Sequence, residues 1–465
     1  MMKLSGILLG VAAVLGAQPG IEGNWQGGLP VQGMTLHLGL HITRTPDGFT
    51  STVDSIDQGA MGIPVKETTF SGGKLHLNMA TLHAEFEGTL SSDGREIAGT
   101  FTQGAPISLT WKRVEKVETA RRPQTPKPPF PYDAIDVSFE APDGIRLAGT
   151  LTLPRGQGPF PAAILISGSG PQDRDETLFQ HKPFLVIADY LTRRGIAVLR
   201  VDDRGVGKST GSSTQETLDD MAGDVLAGVS FLKARKDIDA RHIGLMGHSE
   251  GGIVAPAVAA RSADIAFVVM LAGTGVNGEQ ILYRQAELAN RAAGASDEGI
   301  AKNRQLQQMI FDVLRDEPND QAALGKMRAG WSRMKAEYGE AARERLDASD
   351  PAVDAEFRRM LSPEMRSFLF YDPAATLRKV KAPVLALNGE RDFQVPPGQN
   401  LPAIRDALSE GGNRDFTVTE LPGLNHLFQK CTSCTAAEYA TLEETFSPAA
   451  LEVVGDWILK HTGAK

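Results

Sequence analysis

The sequence is poor in cysteine, has no excess of positive charge and contains no long hydrophobic run beyond its first residues. Two cysteines among 465 residues exclude a disulfide framework and a cysteine-rich zinc site. Lys and Arg number 48 against 57 Asp and Glu, and this net charge of −9 does not mark a nucleic-acid-binding protein. No later segment reaches the ~18 consecutive apolar residues of a membrane span. We therefore expect a soluble globular protein that binds no nucleic acid.

The N-terminal segment, residues 1–17, has the order of a secretory signal peptide. Lys3 supplies an early positive charge, Ile7 to Leu15 form a short apolar core, and the small residues Gly16 and Ala17 follow. The apolar core is too short to cross a bilayer comfortably. The segment predicts export to the periplasm or out of the cell, and a mature form without a membrane span.

Residues 20–115 predict a small all-β domain, either a barrel or a sandwich. Segments of alternating apolar and polar residues, about seven or eight in number, are separated by turn signals such as Pro46-Asp47-Gly48. His37 and His41 share one strand parity, but the sequence places no further metal ligands beside them. We therefore expect hydrogen-bonded strand histidines rather than a metal site. No motif identifies a ligand or partner of this domain.

A proline-rich segment, residues 116–132, follows and predicts a stiff, extended linker. From residue 133 to 465, continuous apolar strands alternate with helical patterns. This alternation is typical of an α/β fold with a mostly parallel sheet covered on both faces. Residues 276–380 interrupt it with segments rich in Ala, Arg, Glu, Leu and Met. We interpret them as a helical insertion that forms a lid over the carboxyl edge of the sheet.

The pentapeptide Gly247-His248-Ser249-Glu250-Gly251 has the Gly-x-Ser-x-Gly pattern of a nucleophile elbow. It follows an apolar strand, Ile243 to Met246, and precedes a helical pattern, Gly252 to Ala260, which is the context that an elbow requires. The pattern alone is not specific, because Gly207 to Gly211 match it as well. No apolar helix follows that second match, so Ser209 belongs to a loop and Ser249 is the predicted nucleophile.

A serine nucleophile needs a general base and an acidic residue that orients the base. In this fold the acid and then the histidine follow the serine along the chain. His426 lies in the loop after the last apolar strand, where catalytic groups gather in open α/β sheets, whereas His461 lies in the terminal helix. Asp392 follows the preceding strand and is the predicted orienting acid, with Glu390 as the alternative.

Two backbone N–H groups are needed to bind the oxyanion of the reaction. One should belong to Glu250, the residue after the nucleophile. The other should come from the loop that follows Ile166, where we prefer Ser169 over Gly170. Residues near these donors are candidates for the substrate pocket, namely Gly168, Gly170, Asp173, Arg174 and His248. Asp173 and Arg174, together with Asp175, could equally anchor the loop.

Taken together, these motifs resemble the α/β-hydrolase superfamily, and more narrowly the bacterial esterases related to the serine aminopeptidase and acyl-peptidase branches. The resemblance covers residues 133–465. Its blocks are Ser167 to Asp175, Asp202 to Ser209, Gly247 to Gly252, Asn388 to Asp392 and Asn425-His426. It implies Ser249, Asp392 and His426 as a catalytic triad that needs no cofactor. Many relatives have histidine where this chain has Ser167, a departure that concerns the oxyanion loop and not the triad.

The expected activity is hydrolysis of a small-molecule carboxylic ester through an acyl-enzyme on Ser249. The alternative is an exported serine peptidase that trims short peptides. Such a peptidase would bind a charged terminus through an acidic side chain of the lid or through Glu250 itself.

The two cysteines, Cys431 and Cys434, lie shortly after His426 in a C-x-x-C spacing. A redox-active pair would need a thioredoxin-like unit, and a metal site would need further ligands. In an exported protein we expect a small structural disulfide that braces the loop carrying the histidine.

Overall fold

The computed structural model describes residues 20–31, 34–118, 121–213 and 216–463. The predicted signal peptide, residues 1–17, lies outside the described residues. The chain divides into two compact units. The first ends at Arg121 and also contains Leu178–Gln180, and the second comprises Arg122–Thr177 and His181–Lys465. No helix in the described ranges is long and apolar enough to cross a membrane.

The first unit contains one antiparallel sheet of nine strands in the order β4-β3-β2-β1-β9-β8-β7-β6-β5. The strands are β1 (Gly23–Val31), β2 (Met34–Thr45), β3 (Gly48–Ser55), β4 (Ala60–Pro64), β5 (Glu67–Ser71), β6 (Lys74–Met79), β7 (Ala84–Leu90), β8 (Glu96–Gln103) and β9 (Ala105–Val114). The hydroxyls of Ser51 in β3 and Thr68 in β5 are 2.6 Å apart, so the sheet curls on itself. The sequence predicts one or two strands fewer because β4 is exposed and lacks buried alternate positions.

The core of this unit is formed by the inward-facing residues of the alternating strands. Trp25, Phe86 and Trp111 have no exposed surface, and the rings of Phe86 and Trp111 meet edge to face with centroids 6.0 Å apart. The two strand histidines are hydrogen-bonded to carboxylates. His37 contacts Asp57 at 2.9 Å, and His41 contacts Asp54 at 2.7 Å.

The second unit contains an eight-stranded sheet in the order β10-β11-β13-β12-β14-β15-β16-β17. The strands are β10 (Asp133–Glu140), β11 (Arg146–Leu153), β12 (Phe160–Ile166), β13 (Ala197–Val201), β14 (Ile238–His248), β15 (Val268–Leu271), β16 (Val384–Gly389) and β17 (Phe416–Leu421). Strand β11 pairs antiparallel with both of its neighbours, β10 and β13. The remaining neighbours in this order, from β13 to β17, pair parallel. The carboxyl ends of the parallel strands therefore meet at one edge, where functional groups collect in such sheets.

The helices of the second unit cover both faces of this sheet. They are α1 (Pro183–Arg193), α2 (Leu218–Lys233), α3 (Gly251–Ala259), α4 (Gly278–Ala292), α5 (Asp297–Asp316), α6 (Asp320–Ala336), α7 (Glu340–Ala348), α8 (Asp350–Met360), α9 (Pro363–Phe370), α10 (Pro373–Leu377), α11 (Pro397–Glu410), α12 (Ala436–Tyr439) and α13 (Pro448–Thr462). Alternate residues of β12 show the two layers. Ile164 packs with α2, α3 and α11, whereas Leu165 packs with α1 and α13.

Helices α4 to α10 lie between β15 and β16, in the interval that the sequence predicts to be helical. They have an apolar core of their own, which includes Phe311, Met327, Phe357 and Leu369. A hydrogen bond joins them to a loop at the carboxyl edge of the sheet. The Gln285 side chain of α4 donates a hydrogen bond to the Gln394 carbonyl, in the loop after β16, at 2.6 Å.

The burial of Phe86 provides a test of the first unit. We expect Phe86→Ala to lower the free energy of unfolding by about 3–5 kcal/mol, because it removes a fully buried ring from a packed core. Glu87→Ala, at the exposed neighbouring position of β7, should change it by less than about 0.5 kcal/mol. Denaturant unfolding followed by tryptophan fluorescence measures both. Equal effects of the two substitutions would contradict the placement of this core.

Candidate active site

The segment from Gly247 to Gly252 forms a tight turn between β14 and α3. Ser249 has a φ of +53°, in the left-handed region that non-glycine residues rarely adopt. Its N–H donates to the Leu271 carbonyl of β15 at 2.8 Å. A side chain at Gly247 would meet the Gly251 carbonyl oxygen at 1.8 Å, and one at Gly251 would meet the Ile166 carbonyl oxygen at 2.2 Å. The glycines therefore permit a backbone approach that holds the serine at the carboxyl edge of the sheet.

The structure brings His426 and Asp392 together at the same edge. His426 lies in the loop after β17 and Asp392 in the loop after β16, and both are almost fully buried. The Nδ1 atom of His426 is 2.8 Å from Oδ2 of Asp392. The other carboxylate oxygen of Asp392 accepts the N–H groups of Gln394 and Val395, each at 2.8 Å. Asp392 is thus fixed by two backbone donors while it contacts the imidazole.

The alternative acid, Glu390, does not contact His426 in the part of the chain that the structure describes. Its Oε2 accepts the Gly423 N–H at 2.9 Å at the surface. A side chain at Gly389 would meet the Leu424 carbonyl oxygen at 2.3 Å, so the two loops run in direct contact there. The geometry therefore favours Asp392 over Glu390 as the partner of the histidine.

His426 is next to the residue that precedes Ser249, and no hydrogen bond joins Ser249 to His426 among the described residues. The ring of His248, the residue before Ser249, is 4.9 Å from the ring of His426 between centroids. Catalytic hydrogen bonds are often long without substrate and shorten when the substrate binds. The arrangement therefore juxtaposes a serine with a buried His–Asp pair.

The loop after β12 passes directly beside the serine. A side chain at Gly168 would lie 3.2 Å from Cβ of Ser249. The Gly168 N–H donates to Oε1 of Glu176 at 2.7 Å, so it is already occupied. The N–H groups of Ser169 and Glu250 have no protein acceptor within the described ranges. These two N–H groups are the predicted oxyanion donors.

The Glu250 side chain is buried beside these donors. Burial raises its pKa to about 7, the Ser169 side chain lowers it in part, and the negative charge of Glu364 on α9 raises it further. Its Oε2 atom has no hydrogen-bond partner among the described residues. Glu250 therefore holds a carboxyl group that is neutral in mildly acidic solution and charged in alkaline solution.

Two of the predicted pocket residues, Asp173 and Arg174, make contacts that hold the loop after β12. Two guanidinium nitrogens of Arg174 donate to Asp202 at 2.9 and 2.6 Å. Asp173 accepts the N–H and the hydroxyl of Thr177 at 2.9 and 2.7 Å. Gly170 turns the chain with a φ of +84°. These contacts support the anchoring interpretation of Asp173 and Arg174, which the sequence leaves open.

The side chain of His248 does not face a substrate pocket through either ring nitrogen. Nδ1 contacts Oε1 of Glu176 at 2.9 Å, and Nε2 contacts the His426 carbonyl at 3.0 Å. Sequence reasoning overlooks Glu176, although it directly follows the Asp173-Arg174-Asp175 motif. Its φ of +52° is a signal that appears only in the fold.

The second Gly-x-Ser-x-Gly match has a structural role. The Ser209 hydroxyl donates to the Asp202 carbonyl at 2.7 Å and accepts the Ala148 N–H at 2.9 Å. Asp202 itself is paired with Arg174, and Arg204 is paired with Asp224 at 2.7 Å. This segment is a turn held by buried ion pairs.

Cys431 and Cys434 are joined in a disulfide. Together with Glu438 they are the one group of potential metal ligands in the described residues, and the disulfide occupies both sulfur atoms. Leu424 and Lys430 form an antiparallel bridge, and the Cys431 N–H donates to the Gly423 carbonyl. The disulfide therefore lies at the base of the loop that carries His426.

Residues 182–430, more than half of the chain, match the family model described as "Serine aminopeptidase, S33". Esterase EstD of Thermotoga maritima is 28% identical over 355 residues, which cover 74% of this chain and 73% of the relative. An uncharacterized protein of Escherichia coli, YfhR, is 32% identical over 126 residues, which cover 27% of this chain and 41% of YfhR.

Among solved structures, the esterase Pf2001 of Pyrococcus furiosus is 17% identical, with a TM-score of 0.44, and covers 74% of this chain and 98% of its own. The predicted resemblance and the α/β-hydrolase fold are confirmed by the family match. The chain therefore belongs to the serine aminopeptidase S33 family of the α/β-hydrolase superfamily.

Proposed function

We propose that this protein is a serine hydrolase that cleaves carboxylic esters through an acyl-enzyme on Ser249. The observation that carries the proposal is the strained turn at Ser249 beside the buried His426–Asp392 pair. Two further features support it. The N–H groups of Ser169 and Glu250 have no protein acceptor among the described residues, and a relative of similar length, EstD, is an esterase by name.

In the proposed mechanism, His426 takes the proton of the Ser249 hydroxyl while its oxygen attacks the ester carbonyl carbon. The N–H groups of Ser169 and Glu250 bind the oxyanion of the tetrahedral intermediate. Asp392 holds the imidazole in position and stabilises the imidazolium. His426 then protonates the leaving alcohol. In the second half of the reaction a water molecule attacks the acyl-enzyme while His426 takes its proton, and His426 returns that proton to Ser249 as the acid leaves.

We further propose that helices α4 to α10 act as a lid that selects the substrate. They contact the loop after β16 through Gln285, and the charge of Glu364 on α9 influences the buried carboxyl of Glu250. An insertion in this position controls access to the reacting serine.

The activity is tested on one plate with p-nitrophenyl esters of increasing acyl length beside aminoacyl p-nitroanilides. We expect ester turnover that is lost in Ser249→Ala, because the variant lacks the attacking oxygen. Ser209→Ala is the matched control, since that serine occupies the second Gly-x-Ser-x-Gly match and should retain turnover in folded protein. Anilide turnover with negligible ester turnover would identify a peptidase, and turnover that survives Ser249→Ala would overturn the mechanism.

The role of Asp392 is tested by removing its charge. We expect Asp392→Asn to lower kcat by a factor on the order of 10⁴, because the amide no longer holds the required tautomer of His426. Glu390→Gln is the control, two residues earlier in the same loop, and should leave kcat within about threefold, as expected for a surface substitution. Comparable losses in the two variants would argue against the assignment of Asp392.

The ionisation of Glu250 predicts a pH dependence. Above a pH of about 7 its carboxyl becomes charged next to the proposed oxyanion site and opposes the developing negative charge. We therefore expect the ratio of kcat/KM for Glu250→Gln to that of the unmodified protein to rise between pH 6 and 8.5. In Glu364→Gln the loss of kcat/KM at high pH should begin at a lower pH, because the substitution removes a charge that raises the pKa of Glu250. Parallel pH profiles would contradict this role.

A further inference from the structure

The proposed mechanism leaves unused two buried ionisable side chains directly beside the reacting groups. His248 and Glu176 are 7% and 6% exposed, and their contact is 2.9 Å long. Burying a charged pair is costly unless each polar atom is satisfied.

The pair connects the loop that supplies a proposed oxyanion donor to the loop that carries the proposed general base. Oε1 of Glu176 accepts the N–H of Gly168, in the loop that supplies the Ser169 donor. The other end of the pair, Nε2 of His248, contacts the carbonyl oxygen of His426, the proposed general base. The link Gly168–Glu176–His248–His426 thus spans the site in three hydrogen bonds.

Hydrogen-bond chemistry defines the protonation state of this link. The carbonyl of His426 can only accept, so Nε2 of His248 must donate a proton. Nδ1 faces a carboxylate oxygen that already accepts the Gly168 N–H, so a proton lies between Nδ1 and that oxygen as well. The pair therefore holds both protons, and an imidazolium beside a carboxylate is the charged form of this arrangement.

The charges around the imidazole favour this state. Burial alone would lower the pKa of His248, but the adjacent Glu176 carboxylate, the His426 carbonyl and the charge of Asp392 together raise it. The ring also contacts the ring of Phe428 and that of His426, which supply no opposing charge while His426 is neutral.

We propose that His248 and Glu176 form a positioning pair that fixes the oxyanion loop and the His426 loop in register with Ser249. The role rests on the proposed function, since it concerns the same three reacting groups. Because Glu176 uses the Gly168 N–H, the next peptide is held with the Ser169 N–H unpaired beside the serine. The left-handed backbone at Glu176, which costs energy in a non-glycine residue, is maintained by these contacts.

Substitutions can separate the two ends of the pair. Oε1 of Glu176 makes both contacts, and in Glu176→Gln no single amide atom can accept the Gly168 N–H and also donate to a neutral His248. One of the two contacts is therefore lost, and the link between the loops is broken. His248→Asn keeps a donor in the place of Nδ1 and loses the contact to His426. His248→Gln keeps a donor in the place of Nε2 and loses the contact to Glu176.

We expect Glu176→Gln to lower kcat by about 10- to 100-fold with little change in KM, less than the loss of about 100- to 1,000-fold for removal of a whole oxyanion donor. Trifluoromethyl ketones form an oxyanion on the serine, and their affinity should fall in Glu176→Gln and His248→Gln more than in His248→Asn. His242→Gln is the matched control. It loses a similar Nδ1 contact, to Asp239 at 2.9 Å, toward the opposite end of β14.

Thermal unfolding separates positioning from folding. The proposal is overturned if folded Glu176→Gln has unchanged kcat, or if His242→Gln loses as much kcat as the His248 variants. If Glu176→Gln does not fold, the comparison of His248→Asn with His248→Gln remains decisive, and equal inhibitor affinities would overturn the proposal.

A measurement on the unmodified protein is independent of its activity. NMR of ¹⁵N-histidine-labelled protein, with His248 assigned from the variant spectra, should show a doubly protonated ring at pH 7.5. A neutral ring would overturn the positioning pair. Absence of ester turnover with a protonated ring would instead count against the proposed function, so the two failures are distinguishable.

Discussion

The close approach of backbone to backbone at the turn between β14 and α3 is the constraint on which the site depends. Gly247 and Gly251 have no space for a side chain, and Ser249 is held in the left-handed region. This geometry is possible only because β14 lies between β12 and β15, whose carbonyls at Ile166 and Leu271 border the turn. The parallel sheet therefore determines where the serine points, and the loops after β16 and β17 deliver Asp392 and His426 to the same edge.

Around this turn the protein uses buried charge mainly to fix loops. Arg174 binds Asp202, which also accepts the Lys208 N–H at 3.2 Å, and Arg204 binds Asp224. Bidentate guanidinium–carboxylate contacts are directional, so they specify one loop conformation more strongly than apolar packing can. Removing one partner would leave an uncompensated buried charge, which is far more destabilising than the pair is stabilising.

The sequence was sufficient for much of this fold because the decisive signals are local. Helix α2 (Leu218–Lys233), for example, begins at a capping box formed by Thr217 and Asp220, which are only three residues apart. The elbow was separable from its duplicate at Ser209 because only one match lies between an apolar strand and an apolar helix. These features need only neighbouring residues to be recognised.

The features that sequence reasoning missed depend on contacts between distant segments. The edge strand β4 is exposed, so no alternating pattern marks it. The choice between pocket and anchor for Arg174 required the position of Asp202, which lies 28 residues away. Glu176 and His248 are separated by 72 residues, and the local sequence around each does not indicate that the two side chains meet. The sequence identifies the groups that react, but the fold is needed to identify those that hold them.

Three buried carboxyl groups of the second unit affect how the stability of the protein depends on pH. Burial raises the pKa values of Asp203 to about 7, Glu216 to about 8 and Glu250 to about 7. The folded state therefore holds protons that the unfolded chain releases near pH 4, and these groups reduce stability as the pH rises from about 4 to 8. Carboxylates paired with arginine, such as Asp202, have a lowered pKa and oppose this trend.

The ionisation of Asp202 and of Glu250 follows from the partners of each carboxyl group. Asp202 is hydrogen-bonded to Arg174, has a lowered pKa and anchors a loop. Glu250, next to the proposed oxyanion donors, has no arginine partner among the described residues and stays neutral below a pH of about 7. The proposed positive charge of His248 is balanced by Glu176, so this pair adds no net charge beside Ser249. Below a pH of about 7 the proposed oxyanion donors therefore face no negative charge from Glu250, which suits a site that must stabilise a transient negative charge.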